Sequence, residues 1–296
     1  MLINPFARFG RAIDLVKPLH KYLKDTRESL KIKILRLGER IQDIIRIIDD
    51  AYRYLIIVGG DGTVKSAIES IFMLGRKFTI VPFLGGTGGE LARFTGILSL
   101  RDLANALMRG RKREIDTFSV NVKYPNKKEE KHMFVANMQI GHFSHSIKET
   151  PSLAKRLFGS NGYMIGVLKA VFKRVNKNCI VTCDNRLLYD GPIFTIHLGN
   201  LKTTRGGVPV TPLASPSDGK VDILLAKSIS KIDALKTLPL VLQGKHLNHP
   251  AVIYEQAREL KIVCDDEHLA IDGEYLGTFS EASIKYETKI EVLCSK

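Results

Sequence analysis

The sequence predicts a two-part α/β chain: an N-terminal domain built on a parallel sheet flanked by helices, then a mostly antiparallel β domain. Three observations carry this. Strand-like and helix-like segments alternate to about residue 115, the pattern of a parallel sheet with helices on its faces. Beyond that point strand-like runs separated by turns dominate. Two glycine-rich loops, within 59–63 and 85–89, each follow an apolar run and precede a helix-like segment; open parallel sheets hold ligands beyond such strand ends. The expected domains are 1–115 and 116–279, with the C-terminal segment 280–296 packing back on the first.

In order, "MLIN" reads as a short strand and 11–24 as a helix. "SLKIKILRL" alternates apolar and polar residues, so it reads as a strand. Ile41, Ile44, Ile45, Ile47 and Ile48 mark an amphipathic helix. "YLIIV" is a buried strand, Ala67 to Leu74 continues a helix, "FTIVPF" is a strand and 91–109 reads as helical. In the second part "IDTFSVNVKY", "HMFVANMQI", "NCIVTCD", "LLYDGPIFTIHL", "KVDILLA", "LKIVCDD", "LAIDGEYL" and "KIEVLC" are strand-like. Helical stretches interrupt them at about 152–175 and 231–243.

Composition narrows the function. The 296 residues are 44% hydrophobic and 26% charged, a globular mixture. Lys and Arg number 45 against 31 Asp and Glu, a formal charge of +14. Such an excess favours polyanions: phosphorylated substrates, anionic membrane or nucleic acid. "RGRKR" at 109–113 reads as a solvated charge run, and no aromatic-rich basic sheet supports nucleic-acid binding. No leader is expected at "MLINPFARFG", and no apolar run reaches the roughly 18 residues a spanning helix needs. Cys179, Cys183, Cys264 and Cys294 form no CxxC pair, which argues for reduced thiols and against zinc. A cytoplasmic protein, in peripheral contact with a membrane at most, is the expectation.

The chemistry concentrates in the loops. In "YLIIVGGDGTVKSAIESI", glycines let a phosphate approach the backbone and helix-start amides attract its charge. Asp61 would repel that phosphate unless a cation or a transferable proton stands between them, so it suits Mg²⁺ with polyphosphate, or a base facing a hydroxyl. The bland alternative is a tight turn with an exposed acid. "TIVPFLGGTGGELAR" repeats the design with Thr87, Glu90 and Arg93; there the alternative is an acid placed to suit the helix dipole. Neither Walker A nor GxGxxG occurs.

"GGDGT" followed by "PFLGGTGGELAR" resembles the diacylglycerol kinase catalytic domain, a family that includes bacterial diacylglycerol kinases and sphingosine kinases and has an NAD kinase-like fold. "NPFAR" at 4–8, "GNLKTTRGGVPVTPLASPSDGKVDILL" at 199–225 and "IDGEYLG" at 271–277 extend the resemblance over almost the whole chain, in order. It implies an ATP- and Mg²⁺-dependent lipid kinase with its site between the domains. Asn4, Pro5, Phe6, Ala7, Arg8, Arg36, Gly59, Gly60, Asp61, Gly62, Thr63, Val64, Lys65, Gly86, Thr87 and Gly88 would fall in the nucleotide site. Asp61, Glu90 and Asp116 would be the acids near metal and phosphates, and Asp272 and Glu274 the candidate base. Ser215, Asp218 and Lys220 match a structural Mg²⁺ loop. The chain departs from the family at Ala7-Arg8 (usually Ser-Gly), Gly89-Glu90 (usually Asn-Asp) and Ser66 (often Glu).

Met164, Leu168, Val171, Phe172 and Val175 would share one face of the 152–175 helix, with Lys169, Lys173, Arg174 and Lys177 elsewhere around it. That suits an anionic lipid surface, or simply packing on the β domain. His142/His145 and His246/His249 lack the glutamate of a zinc-protease motif. An NAD kinase, and a nucleotide-binding regulator of the same fold without turnover, are the rival readings. A homodimer pairing through the β domain would fit the family.

Overall fold

The computed structural model describes residues 1–5, 31–84, 89–149, 176–204 and 207–295, together with Asp14, Pro18 and Lys21. It divides into two compact units, Met1–Ile115 with Ile290–Lys296, and Asp116–Lys289. The helices anticipated at 11–24 and 152–175, with the lipid-facing residues named on the latter from Met164 to Val175, lie outside the described residues.

In the first unit, β1 (Leu2–Ile3), β2 (Lys33–Ile34), β3 (Tyr54–Gly59) and β4 (Thr79–Leu84) run parallel in the order β2–β1–β3–β4. Leu55 to Gly59 of β3 is buried throughout, as a strand covered on both faces requires. Ile3, Ile56, Val58, Val81 and Phe83 form one core with Ile97, Leu103 and Ala106. Helix α1 (Ile41–Arg46) buries Ile44 and Ile45, and α2 (Asp61–Met73) buries Val64, Ala67, Ile68 and Ile71 at helical spacing.

Helix α1 is shorter than its apolar periodicity suggests. Its last carbonyls, Ile45 and Arg46, accept from the Arg76 guanidinium, which also pairs with Asp50 at 2.7 Å. The 91–109 segment is two helices, α3 (Glu90–Thr95) and α4 (Leu100–Arg109). Gly96, left-handed at φ 70°, ends the first, and a reciprocal cap between Ser99 and Asp102 starts the second.

The second unit is antiparallel. Strands β5 (Arg111–Lys123), β6 (Glu129–Phe134), β7 (Asn137–Gly141), β8 (Lys177–Cys183), β9 (Arg186–Gly199), β10 (Val221–Lys227), β11 (Val252–Ala257), β12 (Glu259–Ile271) and β13 (Glu274–Cys294) are joined through α5 (His142–Glu149) and α6 (Lys231–Leu242). The order is β11–β10–β9–β7–β12–β13. Strand β8 also bridges β9 and β12, so two short strands hold the same long pair in succession. Phe118 and Phe134 stack at 5.0 Å in a core with Val181, Ile196, Ile262 and Phe279. Residues 280–289 stay with this unit, since β13 pairs β12 as far as Lys285. Its end returns to the first unit, where Val292 pairs parallel with Ile80. Among the described residues no helix is long and apolar enough to cross a membrane.

The expectation of four reduced thiols is corrected. Cys179 and Cys264 sit opposite each other across β8 and β12 and are joined as a disulfide. Partners 85 residues apart leave no spacing signature in the sequence. Closing a loop of that size restricts the unfolded chain by about 4 kcal/mol. Reduction is therefore expected to lower the melting temperature by roughly 8 °C, read by thermal denaturation with and without a phosphine reductant. An unchanged transition would refute the bond's contribution.

Candidate active site

The ends of the parallel strands carry the first half of the site. After β3 the chain turns through Gly60 into α2, whose amides of Thr63 and Val64 bond back to the Gly60 carbonyl. Asp61 stands in the first turn. Its Oδ2 accepts the Gly89 N–H and its Oδ1 the Glu90 N–H, each at 2.9 Å. The acid is thus a two-pronged clamp on the start of α3, tying the first glycine loop to the second. Gly89 is left-handed, at φ 65° and ψ 45°. Asn and Gly enter that region most readily, which accounts for glycine at a position where the family pattern implied by the resemblance has asparagine. Asn4, just past β1, donates to the Thr63 hydroxyl at 2.9 Å, so a third strand end joins the cluster.

The glycines divide by cause. A Cβ on Gly59 would come within 2.5–2.7 Å of the Thr63 side chain, so packing demands glycine there. At Gly60 and Gly62 a Cβ would meet nothing within 4 Å, and neither has a positive φ. The fold does not require glycine at those two positions. They leave a strip of backbone, beside two helix N-termini, that a phosphate can approach.

Other anticipated nucleotide residues are placed less directly. Arg36 is exposed in a turn beyond β2, its N–H bonded to Glu39. Pro5 follows Asn4. The Val64 side chain belongs to the core. Lys65 is buried, with Nζ 3.8 Å from Glu69 one turn along α2, so its charge is engaged within the helix. Glu90 is buried at the head of α3. Phe6, Ala7, Arg8, Gly86, Thr87 and Gly88 lie outside the described residues.

The second unit gathers its own acids by backbone contacts. Asp116, fully buried, accepts the Gly219 N–H at 2.7 Å and donates its own N–H to the Pro216 carbonyl, which ties it to the 215–220 loop. Asn200, also fully buried, donates from one amide nitrogen to the carbonyls of Asp116 (2.8 Å) and Val135 (2.7 Å). Asp272 accepts the N–H groups of Val135, Ala136 and Asn137, all at 2.9 Å. These bonds interrupt what the sequence presents as one strand, "HMFVANMQI", and split it into β6 and β7. Asp272 is left-handed at φ 46° and 4% exposed, whereas Glu274 opens β13 and is exposed. The two acids of "IDGEYLG" therefore differ in kind: one organises backbone and the other faces outward. Asn200 and the Val135–Asn137 amides were not singled out from sequence; the only trace was the "GN" that opens the 199–225 motif.

Magnesium can be weighed against the 215–220 loop. Asp218 Oδ1 accepts the Lys220 N–H at 3.0 Å, and Asp222 lies close enough to feel Asp218. Burial, and then the Asp218 charge, push the Asp222 carboxyl up, while hydrogen bonds from Tyr254 and Gln256 oppose the shift. Crowded acids with oxygen donors are the chemistry a hard cation accepts, and the Ser215 and Lys220 carbonyls are the further oxygens the resemblance implies. Among the described residues no three His, Cys, Asp or Glu side chains form a ready cage. A Mg²⁺ here would draw on carbonyls, one or two carboxylates and water, which is its ordinary habit.

The histidine pairs take part in packing. His142 stacks on Phe194 at 4.1 Å and bonds to its carbonyl at 2.7 Å. His246 Nε2 bonds to the Val210 carbonyl at 3.0 Å, and burial holds its imidazole below the ordinary value. His246 also lines an apolar cavity of about 50 Å³ beneath α6, with Phe143, Phe194, Leu224, Leu238 and Val241.

Known proteins resemble this chain over most of its length. The model of the diacylglycerol kinase catalytic domain matches residues 1–120, and that of the YegS C-terminal NAD kinase beta sandwich-like domain matches 145–293. The diacylglycerol kinase of Staphylococcus carnosus (strain TM300) is 24% identical over 268 residues, covering 88% of this chain and 83% of its own. That of Bacillus subtilis (strain 168) is 24% identical over 250 residues, covering 82% and 78%. A solved diacylglycerol kinase from Bacillus anthracis str. Sterne shares the fold at TM-score 0.71 and 19% identity, over 98% of this chain and 94% of that one. Yeast NADH kinase complexed with NADH is a more distant match, at TM-score 0.55 and 11% identity over 99% and 83%.

Proposed function

This chain belongs to the diacylglycerol kinase catalytic-domain family, and from that membership we propose that it is an ATP-dependent lipid kinase. It would carry the γ-phosphoryl group to the hydroxyl of a diacylglycerol-like or long-chain-base acceptor, as a cytoplasmic protein attached peripherally to an anionic membrane face. The observation that carries the reading is the backbone left bare at Gly60 and Gly62, next to the helix start that Asp61 clamps. Phosphoryl transfer depends mainly on positioning and on charge. Donor amides at a fixed spacing, with acids to hold a cation, are what that requires.

In this reading Asn4, Thr63 and the glycine-loop amides hold the triphosphate. Asp61 keeps the two loops in register, and Glu90 and Asp116 supply negative charge for the metal. Magnesium, when bound, neutralises charge on the phosphates. Glu274 takes the acceptor's hydroxyl proton onto its carboxylate. Asp272 fixes the Val135–Asn137 backbone, and the 215–220 loop steadies Asp116 from behind. Both units contribute acids in this reading. The apolar cavity of about 50 Å³ under α6 favours a lipid acceptor over a dinucleotide.

The test is γ-labelled ATP with Mg²⁺ and a panel of diacylglycerol, long-chain base, archaeal-type ether lipid and NAD. Label is expected in a lipid. Label in NAD alone would overturn the reading in favour of an NAD kinase, and ATP binding with no label in any acceptor would favour a nucleotide-binding regulator.

A further inference from the structure

Helix α6 buries little for its composition. Of its apolar residues only Ala234 is buried, while Ile232, Leu240 and Leu242 are 65%, 37% and 46% exposed. The helix has two apolar sides. Ala234, Leu238 and Val241, at i, i+4 and i+7, line the cavity beneath. Ile232, Lys236, Pro239 and Leu240 fall on the opposite side by the same spacing.

We propose that the outer face of α6 is the surface by which this protein enters an anionic bilayer interface, with Ile232 and Leu240, and Leu242 at the end of the helix, inserted among acyl chains and Lys236 at headgroup level between Lys231 and Lys245. Charge selects the occupant. Lys231 and Lys236 on the helix, with Lys245 just beyond its end, are opposed along α6 by Asp233 alone, whose carboxylate accepts the Ser230 hydroxyl at 2.7 Å in the N-terminal cap. The whole chain adds an excess of +14. Exposed aliphatics ringed by lysines suit anionic headgroups over acyl chains. Continuity supports the same occupant, since the inner side of this helix roofs the apolar cavity and one element would meet both bilayer and acceptor. The inference rests on the lipid-kinase reading only for its purpose, because the docking itself needs no turnover.

The chain contains no tryptophan, so Ile232→Trp gives a single fluorophore. Its emission should shift to the blue with vesicles of phosphatidylglycerol and phosphatidylcholine, and not with phosphatidylcholine alone. The triple variant Ile232→Ser, Leu240→Ser, Leu242→Ser should lose at least about tenfold in co-sedimentation with the anionic vesicles. Transfer to a short-chain, water-soluble diacylglycerol, together with the melting temperature, reports whether that variant is folded and competent. Docking is overturned if the wild-type protein ignores anionic vesicles, if the triple variant binds them within twofold of wild type, or if emission stays unchanged while the protein co-sediments. A blue shift without phosphate transfer to any lipid would support the docking and count against the kinase reading. Transfer to the soluble acceptor alongside unchanged vesicle binding by the triple variant would do the reverse.

Discussion

Replacing Asp61 with alanine is expected to lower phosphoryl transfer by about 100- to 1,000-fold and to loosen the start of α3. The carboxylate accepts two amides, Gly89 and Glu90, both at 2.9 Å. Bonds to a charged acceptor contribute about 1.5–3 kcal/mol each. Without them the start of α3 loses its register with the Gly60–Gly62 backbone, on which the proposed triphosphate site depends. Asp61→Asn is the finer test. An asparagine keeps one acceptor oxygen, so it can hold one of the two amides and should fall between wild type and alanine in the exchange rate of the Glu90 amide. Transfer within threefold of wild type for Asp61→Ala would remove the clamp from the account.

The second large effect separates two acids that the sequence offers together. Glu274→Gln preserves shape at an exposed position, so stability should change by no more than about 0.5 kcal/mol. Turnover should fall by about 100- to 10,000-fold, because glutamine cannot accept the hydroxyl proton, while ATP affinity stays the same. Asp272→Ala should act the other way round. Three buried amides, Val135, Ala136 and Asn137, would lose their acceptor. Unsatisfied groups of this kind cost about 1–3 kcal/mol apiece, so the second unit should lose on the order of 3–5 kcal/mol. Denaturant unfolding with steady-state kinetics on both variants distinguishes them. A stable, inactive Asp272→Ala alongside an active Glu274→Gln would exchange the roles.

Much of the fold is legible in the sequence because its signals are local. The unbroken apolar run of β3, the isoleucines of α1 and the glycines at strand ends act within one element. What escaped reading depends on distance along the chain. The Asp61 clamp spans 28 and 29 residues, and the Asp272 amide cradle 135 to 137. Both are invisible until strands are paired. The same holds for the Cys179–Cys264 bond and for Asn200, whose side chain joins Asp116 to Val135. The break between α3 and α4 was local, and the Ser99–Asp102 cap could have marked it. The departure at Gly89-Glu90 gains its meaning from conformation: glycine fills a left-handed position that asparagine also tolerates.

In the proposed reading nucleotide phosphates lie against the Gly60–Gly62 backbone, which Asp61 ties to the start of α3. Hydrogen–deuterium exchange with and without Mg·ATP measures this directly. Slowed exchange centred on the amides of Gly60 to Gly62, and absent in Asp61→Ala, is the predicted result. Protection by Mg·ATP elsewhere in the chain, with these amides exchanging as in the nucleotide-free protein, would contradict it.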